Sequence, residues 1–397
     1  MTSSKTPAAL VESPWVTWPV ELHHLPALLP GWLAGLAPSR SVIVADQIRG
    51  AIDRQTRERL VCIAVGTEKP SVHGNQPTGS GRPTTPRAES HRADRSTSES
   101  GAPTQPVESR EPVAMAMLCL QPPGDSATLL HAATIAPESD RSQEELAAIR
   151  RILKQQIEAV GVQSGVDFVQ WATDPATSSE WPQSFGFVSL GTLDYLARDF
   201  PAPAIDEPAI EKPAIEKPAI EKPAIDGLAV DDVTDDSSEG PELTFRPIGD
   251  EGAKAESLAG LVEGTYQGSM DCPSLNQLRT ARQILTGYRR VASFAPDLWW
   301  TAHDQDDRLV GCLLMGRHQA QGAPVLELVY MGILPHARGH RYGRQLARRA
   351  VRAARETGAA RLLVAVDREN LPAVRVYERF GLKRLFSETV WARSFSS

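Results

Sequence analysis

The chain has 397 residues, 41% of them hydrophobic, and a formal net charge of -7. That length allows two cores of about 150 residues each with chain to spare, and the acidic balance gives no general electrostatic case for nucleic acid. No apolar run approaches the roughly 18 residues of a membrane span, and the N-terminal MTSSKTPAALVESPW has no apolar stretch with a small-residue cleavage site, so a cytoplasmic, membrane-free protein is expected.

In chain order, the first break spans about Gly66 to Pro112, where Ser, Thr, Pro, Gly, Arg and Glu leave almost no large apolar residue. Such a segment cannot bury enough surface to offset its ordering entropy, and a disordered insertion is predicted. A strand ending at Ile135-Ala136-Pro137 then leads into a helix over about Gln143 to Val160, a strand Phe168 to Trp171, and Phe185-Gly186-Phe187. From Pro201 to Ile225 a PAIEK unit repeats, with Pro203, Pro208, Pro213, Pro218 and Pro223, and the acidic DDVTDD follows. Recurrent proline forbids a continuous helix and favours an extended spacer. The expected organisation is a domain over 1–200, a linker over 201–242 and a second domain over 243–397. Cys62, Cys119, Cys272 and Cys312 lie far apart, without a CxxC pair or His at ligand spacing, so free thiols and no metal are expected.

Beyond the spacer, LTFRPI at 243–248 reads as a strand. The runs EGAKAESLAGLVEGTYQG and PSLNQLRTARQILTGYRRV read as helices that could close over a substrate, and WWTAHDQDDRLVGCLLMG as two strands joined by an acidic turn at Asp304 to Asp307. Trp300 and His318 could line the same cleft. A strand ending at Ile333-Leu334 is stopped by Pro335, and the turn Arg338 to Gly343 opens directly into a helix. Free backbone N–H groups at such a helix start hold anions through their donors and the helix dipole. Arg344, Arg348, Arg349, Arg352 and Arg355 recur around Leu346, Ala347, Ala350, Val351 and Ala354, the pattern of an amphipathic helix lying on a sheet. Most of these arginines are expected on the solvated face, with Arg344 the best placed to meet phosphates. A strand Leu362 to Val366 and Phe380-Gly381-Leu382 complete the half.

The Pro-to-Gly spacing is nearly the same in the two halves, which reads as one fold used twice. The copies are not chemically equivalent. After Pro137 comes ESDRSQEE, with acid where a phosphate would sit, and Pro182 stands where the second half has Tyr377.

The second half resembles the GNAT superfamily of N-acetyltransferases, whose acetyl-coenzyme A turn has the form Arg/Gln-x-x-Gly-x-Gly/Ala. The matching residues are Arg338, Gly339, His340, Arg341, Tyr342 and Gly343, with Arg341 where the family usually has glycine. Within the superfamily, a degenerate first copy before an intact second is similar to the mycothiol synthase family, acetyltransferases acting on the cysteine amine of a sugar conjugate. The resemblance implies an α/β fold of two tandem domains, each a mixed central sheet flanked by helices. It implies acetyl-CoA as co-substrate, bound by Met331, Gly332, Ile333, the turn Arg338 to Gly343, and Asn370, beside Arg344 at the helix start. The segment ELVYMGI, Glu327 to Ile333, resembles the family strand before that turn, in which the glutamate touches the substrate.

An amine with a pKa near about 10 must lose a proton before it attacks, and Glu327 is the candidate base. Simple strand alternation would put Glu327, Val329, Met331 and Ile333 on one face. Tyr377 resembles the family's general acid for the departing sulfur. The expected partner is a small-molecule amine, taken by a monomer or homodimer. A protein N-terminus or lysine as acceptor, and a non-catalytic acetyl-CoA sensor, are the alternative readings.

Overall fold

The computed structural model describes residues 15–53, 60–68, 110–121, 126–201, 241–276, 278, 280–291, 293–318 and 324–395. The PAIEK spacer and most of the low-complexity insertion lie outside them. The chain divides into two compact units, one of Met1–Leu36 with Ser41–Gly165 and one of Ala37–Arg40 with Val166–Ser397.

In the first unit, β1 (Val16–Pro19), α1 (Leu25–Leu33) and α2 (Pro38–Asp53) precede β2 (Leu60–Glu68), β3 (Arg110–Gln121) and β4 (Ser126–Thr134). The four strands pair antiparallel in the order β1-β2-β3-β4. Trp32, fully buried, packs with Met115 and Met117 in the core and donates its indole N–H to the carbonyl of Met115 at 2.9 Å. The ends of the expected insertion are ordered strand, because Gly66 pairs with Pro112 and Glu68 with Arg110. Gly66 must be glycine. A Cβ there would lie 2.0 Å from the carbonyl oxygen of Glu111.

A 3-10 turn, Glu138–Asp140, then leads into α3 (Gln143–Gln163). Ser142 Oγ accepts from the N–H of Glu145 at 3.2 Å, while the carboxylate of Glu145 accepts from the N–H of Ser142 at 2.9 Å. This capping box satisfies helix-start donors from within. The acid foreseen at this phosphate position therefore caps the helix itself.

The second unit contains β5 (Phe168–Thr173), α4 (Glu180–Ser184), β6 (Val188–Asp199), β7 (Thr244–Pro247), α5 (Gly249–Lys254), α6 (Glu256–Tyr266), α7 (Pro273–Asn276), α8 (Ala281–Val291), β8 (Ser293–His303), β9 (Leu309–His318) and β10 (Val325–Ile333). A 3-10 turn Pro335–Ala337, α9 (Tyr342–Glu356), β11 (Arg361–Asp367), α10 (Leu371–Arg379) and β12 (Lys383–Ser394) complete it. Strand, helices, three strands, 3-10 turn, helix, strand, helix and strand thus occur twice along the chain, the internal duplication read from sequence.

The compact units do not divide at the spacer. β6 inserts between β11 and β12, antiparallel to both, and β5 pairs with β12. The last two strands of the first copy, placed in domain 1–200 by sequence, are part of the second unit's sheet. Strand pairing depends on partners distant in sequence, which a proline-rich boundary does not reveal.

The order in this sheet is β5-β12-β6-β11-β10-β9-β8-β7, antiparallel throughout except for β10 beside β11. One face is covered by α9, whose Leu346, Ala347, Ala350 and Ala354 pack on Leu326 and Leu328 of β10 and Leu362 and Val364 of β11. The opposite face carries α6 and α8, with Leu258, Val262 and Leu285 around Trp299 and Tyr330. The expected helix 251–268 is broken at Ala255, whose extended backbone separates α5 from α6. The acidic turn is as read, with the N–H of Asp307 donating to the carbonyl of Asp304 at 3.1 Å. No helix among the described residues is long and apolar enough to cross a membrane.

Candidate active site

Two departures from regular sheet create the site. β10 and β11 pair in parallel only from Val325↔Arg361 to Leu328↔Val364, after which β11 continues along β6 and β10 along β9. The two strands thus separate, and a cavity of about 560 Å³ lies there, lined among others by Met331, Ile333, Val366 and Tyr377. The second departure is a bulge. Val329 is an extra residue on β10, because Leu328 faces Met315 on β9 and Tyr330 faces Leu314. One extra residue inverts the alternation beyond it.

The bulge overturns the expected common face of Glu327 and Met331. Leu326, Leu328, Met331 and Ile333 share the α9 side, whereas Tyr330 packs with α6 and α8. Glu327, between Leu326 and Leu328, therefore belongs to the Tyr330 side. Its carboxylate is within 2.6 Å of His318 Nε2, and it is absent from the cavity lining. Sequence alternation could not register an inserted residue.

Backbone direction is also decided here. The N–H of Leu334 donates to the carbonyl of Val310 on β9 at 2.9 Å. By antiparallel alternation Gly332 points its N–H the same way, and those of Met331 and Ile333 point into the gap. Gly332 also lines the cavity and is held to glycine by packing: a Cβ on it would lie 2.6 Å from Thr265 Oγ1.

The turn beyond β10 carries the second half of the site. Gly339 has φ +85° and Arg341 φ +63°, both left-handed, and Arg341 is the N-cap of α9 without a side-chain cap. An uncapped helix start leaves first-turn N–H donors for a ligand, and Gly339, Arg341, Tyr342 and Gly343 all line the cavity. The contrast with the self-capped α3 is the chemical difference between the two copies.

Arg338 lines the cavity and also braces the turn. Its guanidinium donates to the carbonyls of Ile333 at 3.2 Å, Gly268 at 3.0 Å and Thr265 at 2.9 Å, tying the turn to the end of α6. His340 turns its Nδ1 toward the carbonyls of Ala337 and Arg338 and stacks on Tyr342 with ring centroids 5.5 Å apart. Neither His340 nor Arg344 lines the cavity. Trp300, expected in the acceptor cleft, is instead core, 5% exposed, with Arg349 over its ring at 4.3 Å.

Asn370 caps α10, its Oδ1 accepting from the N–H of Ala373 at 3.3 Å, and also lines the cavity. Two turns on, Tyr377 reaches the cavity from the same helix. It is 5% exposed, and burial, with the nearby Asp271 carboxylate adding, pushes its phenol well above the ordinary value. A phenol so placed stays protonated and can donate.

Sequence reading missed Asp271, on the loop after α6. It lines the cavity, and burial together with the charge of Asp367 raises its carboxyl above the usual range, against the lowering effect of a bond from the N–H of Asp367. Its flanking sequence, SMDCPS, carries no signal that would have found it. Burial pushes the thiols of Cys62 and Cys312 up to about 12, which leaves them inert. Among the described residues no group of His, Cys, Asp and Glu is arranged to hold a metal ion.

A splayed parallel strand pair leading to an open helix start defines the class: residues 266–382 match the acetyltransferase (GNAT) family, and the chain carries a domain of that family in its second unit. With the repeated element order, the chain has the fold twice in tandem. Among known proteins it is similar to the mycothiol acetyltransferase of Saccharomonospora viridis, 27% identical over 110 residues, covering 26% of this chain and 36% of that protein. It is also similar to that of Thermobifida fusca, 31% identical over 107 residues, covering 27% and 29%. The chain thus spans only about a third of the length of these relatives. A GCN5-related N-acetyltransferase structure from Sphaerobacter thermophilus superposes with a TM-score of 0.52 at 12% identity, covering 97% of this chain and 96% of that one, which shows the shared fold.

Proposed function

We propose that the protein is an N-acetyltransferase that transfers an acetyl group from acetyl-CoA to the primary amine of a small molecule, the cysteinyl amine of a conjugate being the first candidate. The observation that carries this reading is the continuity of one cavity from the uncapped start of α9, through the gap between β10 and β11, to Tyr377.

The residues present fit the co-substrate. The N–H groups of the Gly339 to Gly343 turn suit a diphosphate, through their donors and the dipole of α9. The strand edge of β10 offers the N–H groups of Met331 and Ile333 to an extended amide-bearing arm, as an added strand would use them. Near the thioester, such fixed donors stabilise negative charge developing on the carbonyl oxygen. Tyr377 then supplies the proton that converts the departing thiolate to a thiol.

A small acceptor is favoured because the end of α6 at Thr265 and the loop from Gly268 through Asp271 wall one side of this cavity. The similarity to mycothiol acetyltransferases supports an amine of the cysteinyl type. The test is acetyl-CoA consumption by the full chain with cysteinyl sugar conjugates, simple aliphatic amines, and peptides with free N-termini or lysines. Turnover restricted to small amines supports the proposal, turnover with peptides alone redirects it to protein acceptors, and coenzyme A binding without turnover makes the protein a sensor.

A further inference from the structure

The loop after α6 is held in an uncommon way. The backbone N–H of Asp367, at the end of β11, donates to Asp271 Oδ1 at 3.2 Å, and the N–H of Cys272 donates back to Asp367 Oδ2 at 3.0 Å. Cys272 has φ 41°, a left-handed conformation that a residue with a side chain keeps only when its surroundings impose it. Asp367 also accepts the N–H of Glu369 at 2.9 Å on its other oxygen, and its carbonyl accepts from the N–H of Asn370, the cap of α10. One residue therefore ties the Asp271 loop to the helix that carries Tyr377. This clasp holds Asp271, the one carboxylate residue of the cavity lining among the described residues, at the cavity wall.

We propose that Asp271 is the catalytic base of the amine, with Asp367 as the residue that positions it. The inference rests on the acetyl-transfer reading above. The acceptor arrives as an ammonium; Asp271 takes one proton from it, and the neutral nitrogen forms its bond to the acetyl carbonyl carbon. The carbon–sulfur bond breaks with its electron pair on sulfur, which takes a proton from Tyr377. The second proton released by nitrogen as it becomes an amide restores Tyr377, and Asp271 returns its own to solvent. The balance is one amide, one thiol and one proton released.

Several facts favour Asp271 over Glu327. Asp271 shares the cavity with Tyr377, whereas Glu327 lies outside its lining, on the far side of the bulge and against His318. The charged and titratable groups around Asp271 are Asp367 from β11, the Cys272 thiol beside it, Tyr377 from α10, Tyr330 from β10 and Tyr288 from α8. Arg338, on the same cavity wall, gives its guanidinium to backbone carbonyls. Asp367 is the carboxylate whose charge acts on Asp271, and with burial it makes Asp271 a stronger base than an ordinary aspartate. A carboxylate in this cavity also favours a cationic amine over a neutral nucleophile.

The test is the pH profile of kcat/KM for acetyl-CoA loss by the full chain with S-methylcysteine amide, whose amine is its sole nucleophile, for wild type, Asp271→Asn, Asp367→Asn and Glu327→Gln. Coenzyme A calorimetry shows which variants keep the fold. Asp271→Asn is expected to lose about 100-fold in kcat and the acidic limb of the profile. Asp367→Asn, which removes a charge that raises Asp271, should move that limb to lower pH with coenzyme A affinity kept, whereas a loop that merely opened to water would lose that affinity as well. An unmoved limb in Asp367→Asn, or an intact limb in Asp271→Asn with its loss in Glu327→Gln, overturns the assignment while leaving acetyl transfer in place. Absence of turnover by the unchanged chain with every amine overturns both.

Discussion

The guanidinium of Arg338 donates to the main-chain carbonyl of Thr265 at 2.9 Å, so the first residue of the turn before α9 is fastened to the last turn of α6. With its bonds to Gly268 and Ile333, this arginine closes three backbone acceptors. Arg338→Ala should cost about 2 kcal/mol in stability, because hydrogen bonds from a charged donor are worth about 1.5–3 kcal/mol and two of the carbonyls regain water. Coenzyme A affinity should fall as the turn loosens. Denaturant titration and calorimetry check both; Arg338→Lys, a point charge without the fork, should rescue little.

Tyr377→Phe should leave coenzyme A affinity within about twofold and lower kcat by about 100-fold, the scale of a lost general acid. The ring stays in its core position, and the one group removed is the hydroxyl. Steady-state kinetics beside calorimetry separates the effects. Loss of binding would instead mark a packing role.

Arg341 is left-handed at the N-cap of α9. A non-glycine residue pays about 1–2 kcal/mol there, while glycine adds unfolded-state entropy worth about 0.5–1 kcal/mol. Arg341→Gly should therefore be neutral to stabilising by about 1 kcal/mol. Its effect on coenzyme A affinity should be small, since the turn binds through main-chain N–H groups; a large loss would show that the arginine itself grips phosphate.

Asp194 on β6 accepts from Arg368 at 2.7 and 3.1 Å and from Ser387 on β12 at 2.7 Å. Burial works to raise its carboxyl, but Arg368, Ser387 and Arg384 together hold it below the usual range. The folded state therefore binds fewer protons than the unfolded chain. Its contribution is complete above the unfolded value of about 3.9 and disappears as pH falls through the lower folded value. Asp194→Asn should cost about 1 kcal/mol near neutrality, screening at the half-exposed Arg368 being allowed for. Urea titrations should show the gap from wild type closing as pH falls below the unfolded value.

What the sequence determined by itself is local. Pro335 ending a strand, the turn from Arg338 to Gly343 opening into a helix, the small apolar residues on one side of α9 and the acid after Pro137 each act within a few residues, so spacing alone exposes them. They account for the element order, the duplication and the contrast between an open and a self-capped helix start. Tertiary structure decided the rest. The bulge at Val329 turned Glu327 away from Met331, three carbonyls claimed Arg338, β6 entered the second sheet, and Asp367 drew Asp271 to the cavity from nearly a hundred positions away. Strand register, bulges and loop clasps are settled by partners distant along the chain. Their energies arise only when those partners meet, and no short window of residues contains them.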